Sequence, residues 1–364
     1  MKICFSSVFL DHSGYAQAAR NILLAMVEAG IEVTTEIVSF ARGDVDETPG
    51  AKKALELQSR FTDYDKKIIM LTPENYPKYY ENGKKNIGLL FWEVIGVDGR
   101  WVNYMNKMTE IWTPSEIFAK TFRDNGVTVP VRVITQPYQL INEEQPFNTQ
   151  GGDMFKFYSV FQWTERKNPK ALLETYWKTF SGVKDVCLIL KTYRGSFTPT
   201  ESNAIRDDIR KWKLEISNID FPKTYFIPYE MSEQDIQRLH ATGDCFVSAH
   251  RGEGWGYPQM EAMCSGKPVI STNFGGIHEH MTDEFAWPIK YKFTKVTGMS
   301  HIPWYNETQQ WAEIDRDNLS KSMWEAYSKP ELAKKKGQLA KQKMIEKFSN
   351  ETVVNEIMGL LWLN

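Results

Sequence analysis

The stretch "EGWGYPQMEAMCSGKPVIS", from Glu253 to Ser271, joins a glycine-punctuated turn to a helix-like segment and an apolar run. The apolar residues 245–248 before it have the pattern of a strand, so the turn connects a strand to a helix. Pro258 is favoured in a first helical turn because its missing N–H would have no partner there. The stretch therefore predicts a helix N terminus whose free backbone N–H groups attract an anion.

Two acids, Glu253 and Glu261, flank this turn, and we expect Glu261 in the first turn of the helix. Gly254 and Gly256 let the backbone approach a ligand closely. A phosphate alone would not favour two nearby carboxylates, whereas ligand hydroxyls donate hydrogen bonds to them. A nucleotide-sugar has hydroxyls at both ends and a diphosphate between them, so the pattern indicates a ligand of this kind.

The rest of the chain alternates strand-like and helix-like runs in two series, separated by the polar stretch "YQLINEEQPFNTQGGDM". This alternation is typical of doubly wound parallel sheets, which bind ligands at the carboxyl ends of their strands. The sequence predicts an α/β fold with two Rossmann-like domains facing each other across a cleft. We expect the domains at residues 1–145 and 146–345, with a C-terminal helix in 346–364 that packs back on the first domain.

Composition excludes little beyond membrane and strongly polyanion-binding classes. The net charge of the 364 residues is −2, so nothing requires a nucleic-acid partner. Apolar runs stay shorter than the ~18 residues of a membrane span, and the N terminus resembles a strand, not a signal peptide. The cysteines have no metal-binding spacing and are expected to be buried thiols of a cytoplasmic protein; they are Cys4, Cys187, Cys245 and Cys264.

Glu253 and Glu261 with "GWGYPQM" between them, followed by "EAMCSGKPVISTNFGG", resemble the signature of the family 4 retaining glycosyltransferases, which have the GT-B fold. The similarity extends over most of residues 155–330 and more thinly over 1–150. The resemblance implies that Glu253 contacts the transferred sugar and Glu261 the ribose. Trp255 and Tyr257 fall in the same donor-binding loop.

The resemblance also implies cations beside the donor diphosphate. In "SVFQWTERKNP", Lys167 matches the phosphate-binding lysine of the family, but the arginine expected five residues earlier is Gln162. Arg166 either supplies the missing charge or is an exposed surface residue. Lys191, at the end of the strand-like "CLILK", is either a further donor ligand or a surface lysine.

Further candidates follow other strand ends. In "LDHSGYAQAAR", Gly14 matches a family glycine in the loop that closes over donor and acceptor, although a plain turn glycine has the same pattern. Glu93, after "LLFW", either orients the acceptor hydroxyl and accepts its proton or caps a helix. By resemblance, Gly275, Gly276 and Glu279 lie near the diphosphate or the acceptor.

Two kinds of short motif suggest metal binding, but neither has the expected context. The acid-x-acid pairs do not follow a strand, as metal-dependent transferases require, and the "HEH" histidines have no evident third and fourth ligand. These residues are Asp44 with Asp46, Asp63 with Asp65, and His278 with His280.

Taken together, the sequence predicts a metal-independent retaining glycosyltransferase without a cofactor. Its donor would be a nucleotide-diphospho-sugar and its acceptor a carbohydrate or another small or macromolecular hydroxyl compound. Two alternatives stay open: a catalytically silent nucleotide- or sugar-binding protein on the same fold, and a glycosyltransferase that modifies nucleic acid. A dehydrogenase is disfavoured because the glycine fingerprint of dinucleotide sites is missing.

Overall fold

The computed structural model of the chain describes residues 1–11, 13–39, 48–138, 145–147 and 151–362. Asp44 and Asp46 lie outside the described residues. The chain divides into two compact units. The first comprises Met1–Gln139, Ile302–Gln309 and Glu346–Asn364, and the second comprises Leu140–His301 and Gln310–Ile345.

The first unit is built on a parallel sheet. Its described strands are β1 (Lys2–Ser7), β2 (Glu32–Ile37), β3 (Lys66–Met70), β4 (Lys85–Leu89), β5 (Glu110–Thr113) and β6 (Val131–Val133), in the order β2-β1-β3-β4-β5-β6. The strands are short and mostly buried, as parallel strands covered on both faces are. Their carboxyl ends therefore meet at one edge of the sheet.

Helices connect these strands: α1 (Gly14–Glu28), α2 (Pro49–Glu56), α3 (Tyr76–Tyr79), α4 (Gly99–Met105) and α5 (Glu116–Asp124). Side-chain caps define where several of them begin. Ser13 accepts a hydrogen bond from the Ala16 N–H at 3.1 Å, and Asp98 accepts one from the Arg100 N–H at 2.9 Å. Such caps satisfy N–H groups that have no partner within the helix.

The second unit repeats the plan. Its described sheet has the order β12-β11-β10-β7-β8-β9, with each neighbouring pair parallel. The strands are β7 (Phe155–Gln162), β8 (Val186–Tyr193), β9 (Lys223–Ile227), β10 (Cys245–Ser248), β11 (Val269–Thr272) and β12 (Trp287–Ile289). The helices are α6 (Pro169–Thr179), α7 (Pro199–Leu214), α8 (Glu233–Thr242), α9 (Tyr257–Cys264), α10 (Arg316–Ser328) and α11 (Pro330–Phe348). The predicted α/β class with two Rossmann-like halves is confirmed.

An antiparallel pair, β13 (Tyr291–Lys295) with β14 (Gln310–Ile314), follows the second sheet. The segment between the two strands includes Ile302–Gln309, which belongs to the first unit. There Tyr305 stacks on Trp92 with ring centroids 5.2 Å apart, and Arg100 lies 4.5 Å over the Trp304 ring. No sequence pattern anticipated this excursion, because its contacts join residues about 200 positions apart.

The sequence raised expectations about the cysteines, about Asp63 and about membrane-spanning segments. All four cysteines are buried and free, as predicted. Asp63 forms an ion pair with Lys2, which gives this acid a structural partner. Among the described residues, no helix combines the length and apolarity needed to cross a membrane.

The C-terminal helix α12 (Asn350–Trp362) belongs to the first unit and packs on α1. Its buried face is formed by Val353, Val354, Ile357 and Leu361, which repeat at helical spacing. At the start of α12, the Asn350 amide donates to the Glu28 carboxylate of α1 at 2.6 Å. Burial of this apolar face holds the end of the chain on the first unit.

We expect Ile357→Ala to lower the free energy of unfolding by about 2–5 kcal/mol, because Ile357 is fully buried and its truncation leaves a cavity. Trp362→Ala, on the same helix but at a residue that is 69% exposed, should change it by about 0.5 kcal/mol or less. Urea unfolding followed by circular dichroism measures both values. Equal losses in the two variants would contradict the packing of α12.

Candidate active site

The turn between β10 and α9 has the geometry predicted for an anion site. Gly256 caps α9 with a φ of 88°, which favours glycine, and Tyr257 and Pro258 form the first helical turn. Among the described residues, no side chain makes a capping hydrogen bond at this helix end. The N terminus of α9 therefore presents backbone N–H groups and the positive end of its dipole to the carboxyl edge of the sheet.

Glu253 in this turn forms ion pairs with both cations of the turn after β7. Lys167 Nζ donates to Glu253 Oε1, and an Arg166 guanidinium nitrogen lies 3.5 Å from Glu253 Oε2. The same nitrogen donates to the Gly252 carbonyl at 2.7 Å. All three charged side chains are largely buried. Arg166 is thus part of this cluster, and the alternative of an exposed surface residue is wrong.

The pKa of Glu253 reports the strength of this pairing. Burial alone would raise it, but Lys167, His250 and Arg166 outweigh burial and lower the pKa to about 2. His250 is fully buried beside the pair, and burial lowers its pKa to about 4. Near neutral pH the cluster therefore contains an ionised carboxylate, two cations and a neutral imidazole. Only its position after strand β10 in "SAHRGE" could have pointed to His250 beforehand.

Arg251 connects the turn after β7 with the turn after β10. Its backbone N–H donates to the Arg166 carbonyl at 2.7 Å, and its guanidinium donates to the Glu165 carbonyl at 2.8 Å and to Glu313 Oε2 at 2.7 Å. The guanidinium also lies 5.1 Å over the Trp311 ring. These contacts hold the backbone of Arg166 against that of Arg251. Sequence reasoning missed this arginine.

The glycine pair after β11 packs against the same turn. The Gly276 N–H donates to the Glu253 carbonyl at 2.9 Å. A Cβ atom at Gly275 would lie 2.2 Å from that carbonyl oxygen, and one at Gly276 would lie 2.1 Å from the Gly254 oxygen. Only glycine fits such a close backbone approach. The pair thus supports the Glu253 backbone; its expected nearness to diphosphate or acceptor stays a prediction.

Trp255 lies beneath the turn. Its indole N–H donates to the Met260 sulfur at 3.0 Å, and its ring lies 4.6 Å from that of His280. Because Trp255 is only 2% exposed, the indole packs as support for the turn and presents no free face to a ligand in this structure. Glu279 lies in the short 3-10 turn Gly276–Glu279 and is partly exposed.

The side chains of Gln162 and Lys191 donate hydrogen bonds to backbone carbonyls of neighbouring loops. The Gln162 amide donates to the Arg194 carbonyl at 2.7 Å, in the loop after β8. Lys191 Nζ donates to the Tyr229 carbonyl at 2.7 Å, after β9, and lies 4.1 Å over the Phe197 ring. Lys191 is buried, which lowers its pKa to about 8, so the alternative of an exposed surface lysine is wrong. Lys191 joins the loops that follow β8 and β9.

Glu261 is the fifth residue of α9, so it lies in the second turn of the helix. The expectation that it lies in the first turn is wrong. The helix begins at Tyr257, one residue before Pro258, which accounts for part of the difference. Its carboxylate lies 3.6 Å from Nε2 of the buried His240 on α8. The structure therefore gives Glu261 a partner different from the cations that hold Glu253.

Two candidates lie in the first unit. Gly14 is the first residue of α1, and a Cβ atom there would meet nothing within 4 Å. Glu93 follows β4 and accepts a hydrogen bond from the Tyr305 hydroxyl at 2.5 Å. Asp98 caps the next helix, α4, so Glu93 does not cap that helix. Tyr305 was missed because it comes from the excursion Ile302–Gln309.

The "HEH" histidines have no metal-like arrangement. His278 Nδ1 lies 3.2 Å from the Asn273 side-chain oxygen, and His280 packs under Trp255. Within the described ranges, no group of three His, Cys, Asp or Glu side chains comes close enough to hold a metal ion.

Part of the sequence that forms this site is similar to a known protein family. Residues 207–291 match the family model described as glycosyl transferases group 1. The matched segment includes Glu253, Glu261, Gly275, Gly276 and Glu279, and it supports the resemblance to glycosyltransferases; the family 4 subgroup, retention and the roles of these residues stay predictions. No curated protein sequence matches the chain at a significant level.

Solved structures share the whole architecture. Sucrose-phosphate synthase from Thermosynechococcus elongatus matches with a TM-score of 0.71 at 14% identity, over 100% of this chain and 98% of that chain. HepE from Anabaena, solved in complex with UDP-glucose, matches with a TM-score of 0.66 at 14% identity, over 100% of both chains. A TarM mutant from S. aureus, solved with UDP and α-GlcNAc-glycerol, matches with a TM-score of 0.60 at 16% identity over 84% of this chain. This chain spans 57% of that TarM chain. At these identities the likeness shows a shared GT-B fold.

The ion pairs of Glu253 predict a particular dependence of stability on pH. A carboxylate whose folded pKa is below its unfolded value adds stability that is complete above the unfolded pKa and is lost as pH falls through the folded pKa. With a folded pKa of about 2 against 4.5, Glu253→Gln should be less stable than wild type at pH 7. The difference should shrink by about 2 kcal/mol between pH 7 and pH 3.

Urea unfolding at pH 7, 5 and 3 measures this difference, with Glu307→Gln, at an exposed glutamate, as the matched control. A difference between wild type and Glu253→Gln that stays constant down to pH 3 would contradict the proposed ion pairs.

Proposed function

We propose that this chain is a retaining glycosyltransferase that moves a sugar from a nucleotide-diphospho-sugar to a hydroxyl group of an acceptor. The observation that carries the proposal is the buried cluster of Lys167, Arg166 and Glu253 beside the uncapped N terminus of α9. It combines groups for a phosphate with a carboxylate for sugar hydroxyls. The family match of residues 207–291 supports the same activity.

The donor diphosphate would contact the α9 N terminus, Lys167 and Arg166. Glu253 would accept hydrogen bonds from hydroxyls of the transferred sugar, and Glu261 from the ribose. HepE was solved with UDP-glucose and TarM with UDP, which makes uridine nucleotides the first probes. Lys191 ties together the loops after β8 and β9. It would therefore shape the donor side of the site without touching the sugar.

The chemical step would break the bond between the anomeric carbon and the β-phosphate oxygen, leaving an oxocarbenium-like centre and a nucleoside diphosphate. Negative charge that develops on the leaving phosphate is the main barrier. Lys167, Arg166 and the N–H groups of α9 would stabilise this charge by preorganised electrostatics. Because these groups supply positive charge at the leaving oxygen, we propose that the reaction needs neither a metal nor a cofactor.

Without a covalent sugar–enzyme intermediate, retention requires the acceptor hydroxyl to attack from the face that the phosphate leaves. A phosphate oxygen would then accept the hydroxyl proton, so no separate base is needed on that face. Glu93, fixed by Tyr305, would orient an acceptor hydroxyl in the first unit. The four buried free thiols are consistent with a reducing compartment, and we propose a cytoplasmic location.

A silent binding protein on the same fold is the main rival. It would bind the nucleotide without turnover, and the substitution at Gln162 is the feature that favours it. The position of Arg166 against Glu253 supports the enzyme, because Arg166 would supply beside Lys167 the charge missing at Gln162. Turnover of a bound donor separates the two.

The first test is a thermal-shift screen of UDP-, GDP-, ADP- and dTDP-sugars in the presence of EDTA. At least one donor should raise the melting temperature, since a ligand that binds the folded state stabilises it. The same donor should then be hydrolysed or transferred at a rate that EDTA does not change. Failure of every donor would contradict the proposed function, and activity lost in EDTA but restored by Mn²⁺ would contradict metal independence.

The second test removes each cation. Lys167→Ala and Arg166→Ala should each lower kcat about a hundredfold, equivalent to about 3 kcal/mol of lost transition-state stabilisation. Lys170→Ala is the matched control, because Lys170 lies next to the turn but pairs with Glu215 on the surface. Steady-state kinetics and melting temperatures are measured together. An unchanged kcat/KM in Arg166→Ala would remove that residue from the catalytic site.

A further inference from the structure

A buried histidine lies behind the carboxylate assigned to the ribose. His240, on α8, is 1% exposed, and its Nε2 is 3.6 Å from Glu261 Oε2 on α9. This distance is longer than a hydrogen bond but close enough for a strong electrostatic interaction where water is largely excluded. The Glu261 side chain keeps 17% of its surface exposed, so it can still meet a ligand.

The other ring nitrogen of His240, Nδ1, has a hydrogen-bond partner. The Tyr158 hydroxyl, from β7, lies 2.9 Å from His240 Nδ1, and the two rings meet edge-on at 5.5 Å. Burial raises the pKa of Tyr158 well above its usual value, so the hydroxyl keeps its proton. When that proton is donated to Nδ1, the imidazole hydrogen lies on Nε2, the nitrogen 3.6 Å from Glu261 Oε2.

Close packing of neighbouring residues fixes the position of the Tyr158 ring. A Cβ atom at Gly243 would lie 2.1 Å from Tyr158 Cδ1, so the ring occupies the space that any other residue at 243 would fill. Phe246 holds its other side, with ring centroids 5.2 Å apart. A fully buried polar ring is costly unless it makes such bonds, and an apolar side chain would pack at this position without that cost.

We propose that His240 is a positioning residue for Glu261. Tyr158 fixes the imidazole, and the imidazole turns the Glu261 carboxylate toward the 2′- and 3′-hydroxyls of the nucleotide ribose. The inference rests on the proposed function for its ligand. It assigns a role to a residue that touches neither donor nor acceptor and acts only through Glu261.

The test compares each nucleoside diphosphate with its 2′,3′-dideoxy counterpart, using UDP, GDP and ADP as probes and calorimetry as the readout. Wild type should bind the ribose form about tenfold more tightly than the dideoxy form, and Glu261→Gln should lose this preference. His240→Phe should lower the preference several-fold while leaving the affinity for the dideoxy form unchanged. His240→Gln, which retains a donor, should restore part of it.

His301→Ala, at an exposed histidine, is the matched control and should keep the wild-type preference. A purely structural role for His240 would weaken both forms of the nucleotide equally, and that result would overturn the proposal. An unchanged preference in His240→Phe would overturn it as well. Neither result would affect the proposed function, because the wild-type protein would still bind the ribose form.

A second measurement does not depend on any nucleotide. In protein labelled with ¹⁵N-histidine, the ring-nitrogen signals of His240 should shift in Glu261→Gln and in Tyr158→Phe, but not in Glu307→Gln. If the ring-nitrogen signals of His240 did not change in Glu261→Gln, the positioning role would be overturned. If wild type bound none of the three nucleotides, the proposed function would fail, while these spectra would still decide whether His240 and Glu261 are coupled.

Discussion

The ion pair between Glu253 and Lys167 is the interaction on which the rest of the site depends. It joins the turn after β7 to the turn after β10, and Arg166 adds a second positive charge to the same carboxylate. Removing one partner of a buried pair leaves an uncompensated charge, which typically costs about 3–5 kcal/mol. The two turns are thus held together by the same charges that we propose bind the donor.

The backbone around this pair is fixed by close packing and by one further ion pair. Gly275 and Gly276 pack directly on the Glu253 turn from one side, and Trp255 fills the space beneath it. Arg251 ties the same turn to β14 through Glu313. A site built this way loses little freedom when a ligand binds, and preorganisation of that kind is what makes fixed charges effective in catalysis.

Local sequence was enough for the fold class and for the turn at Glu253. Alternating runs predicted both sheets, and Pro258 placed the start of α9 within one residue. The grouping of Arg166 with Glu253 depended on the resemblance, because 87 positions separate the two residues. His240, Arg251 and Tyr305 escaped prediction for the same reason: each matters through a partner distant in the chain, and none belongs to a motif. Glu261 was placed one turn too early because a proline fixes the start of a helix only approximately.

Glu253 pairs with both Lys167 and Arg166, so binding of a diphosphate to these cations would be an exchange of partners. The phosphate would take over part of the positive charge, and a Glu253 oxygen would then need a new donor, since a buried carboxylate without one is costly. Hydroxyls of the transferred sugar are such donors, and water is largely excluded at this depth. Under the proposed function, phosphate binding and sugar recognition would therefore be coupled through one carboxylate. A diphosphate without its sugar would leave that carboxylate incompletely satisfied, which favours release of the leaving group once the sugar has been transferred.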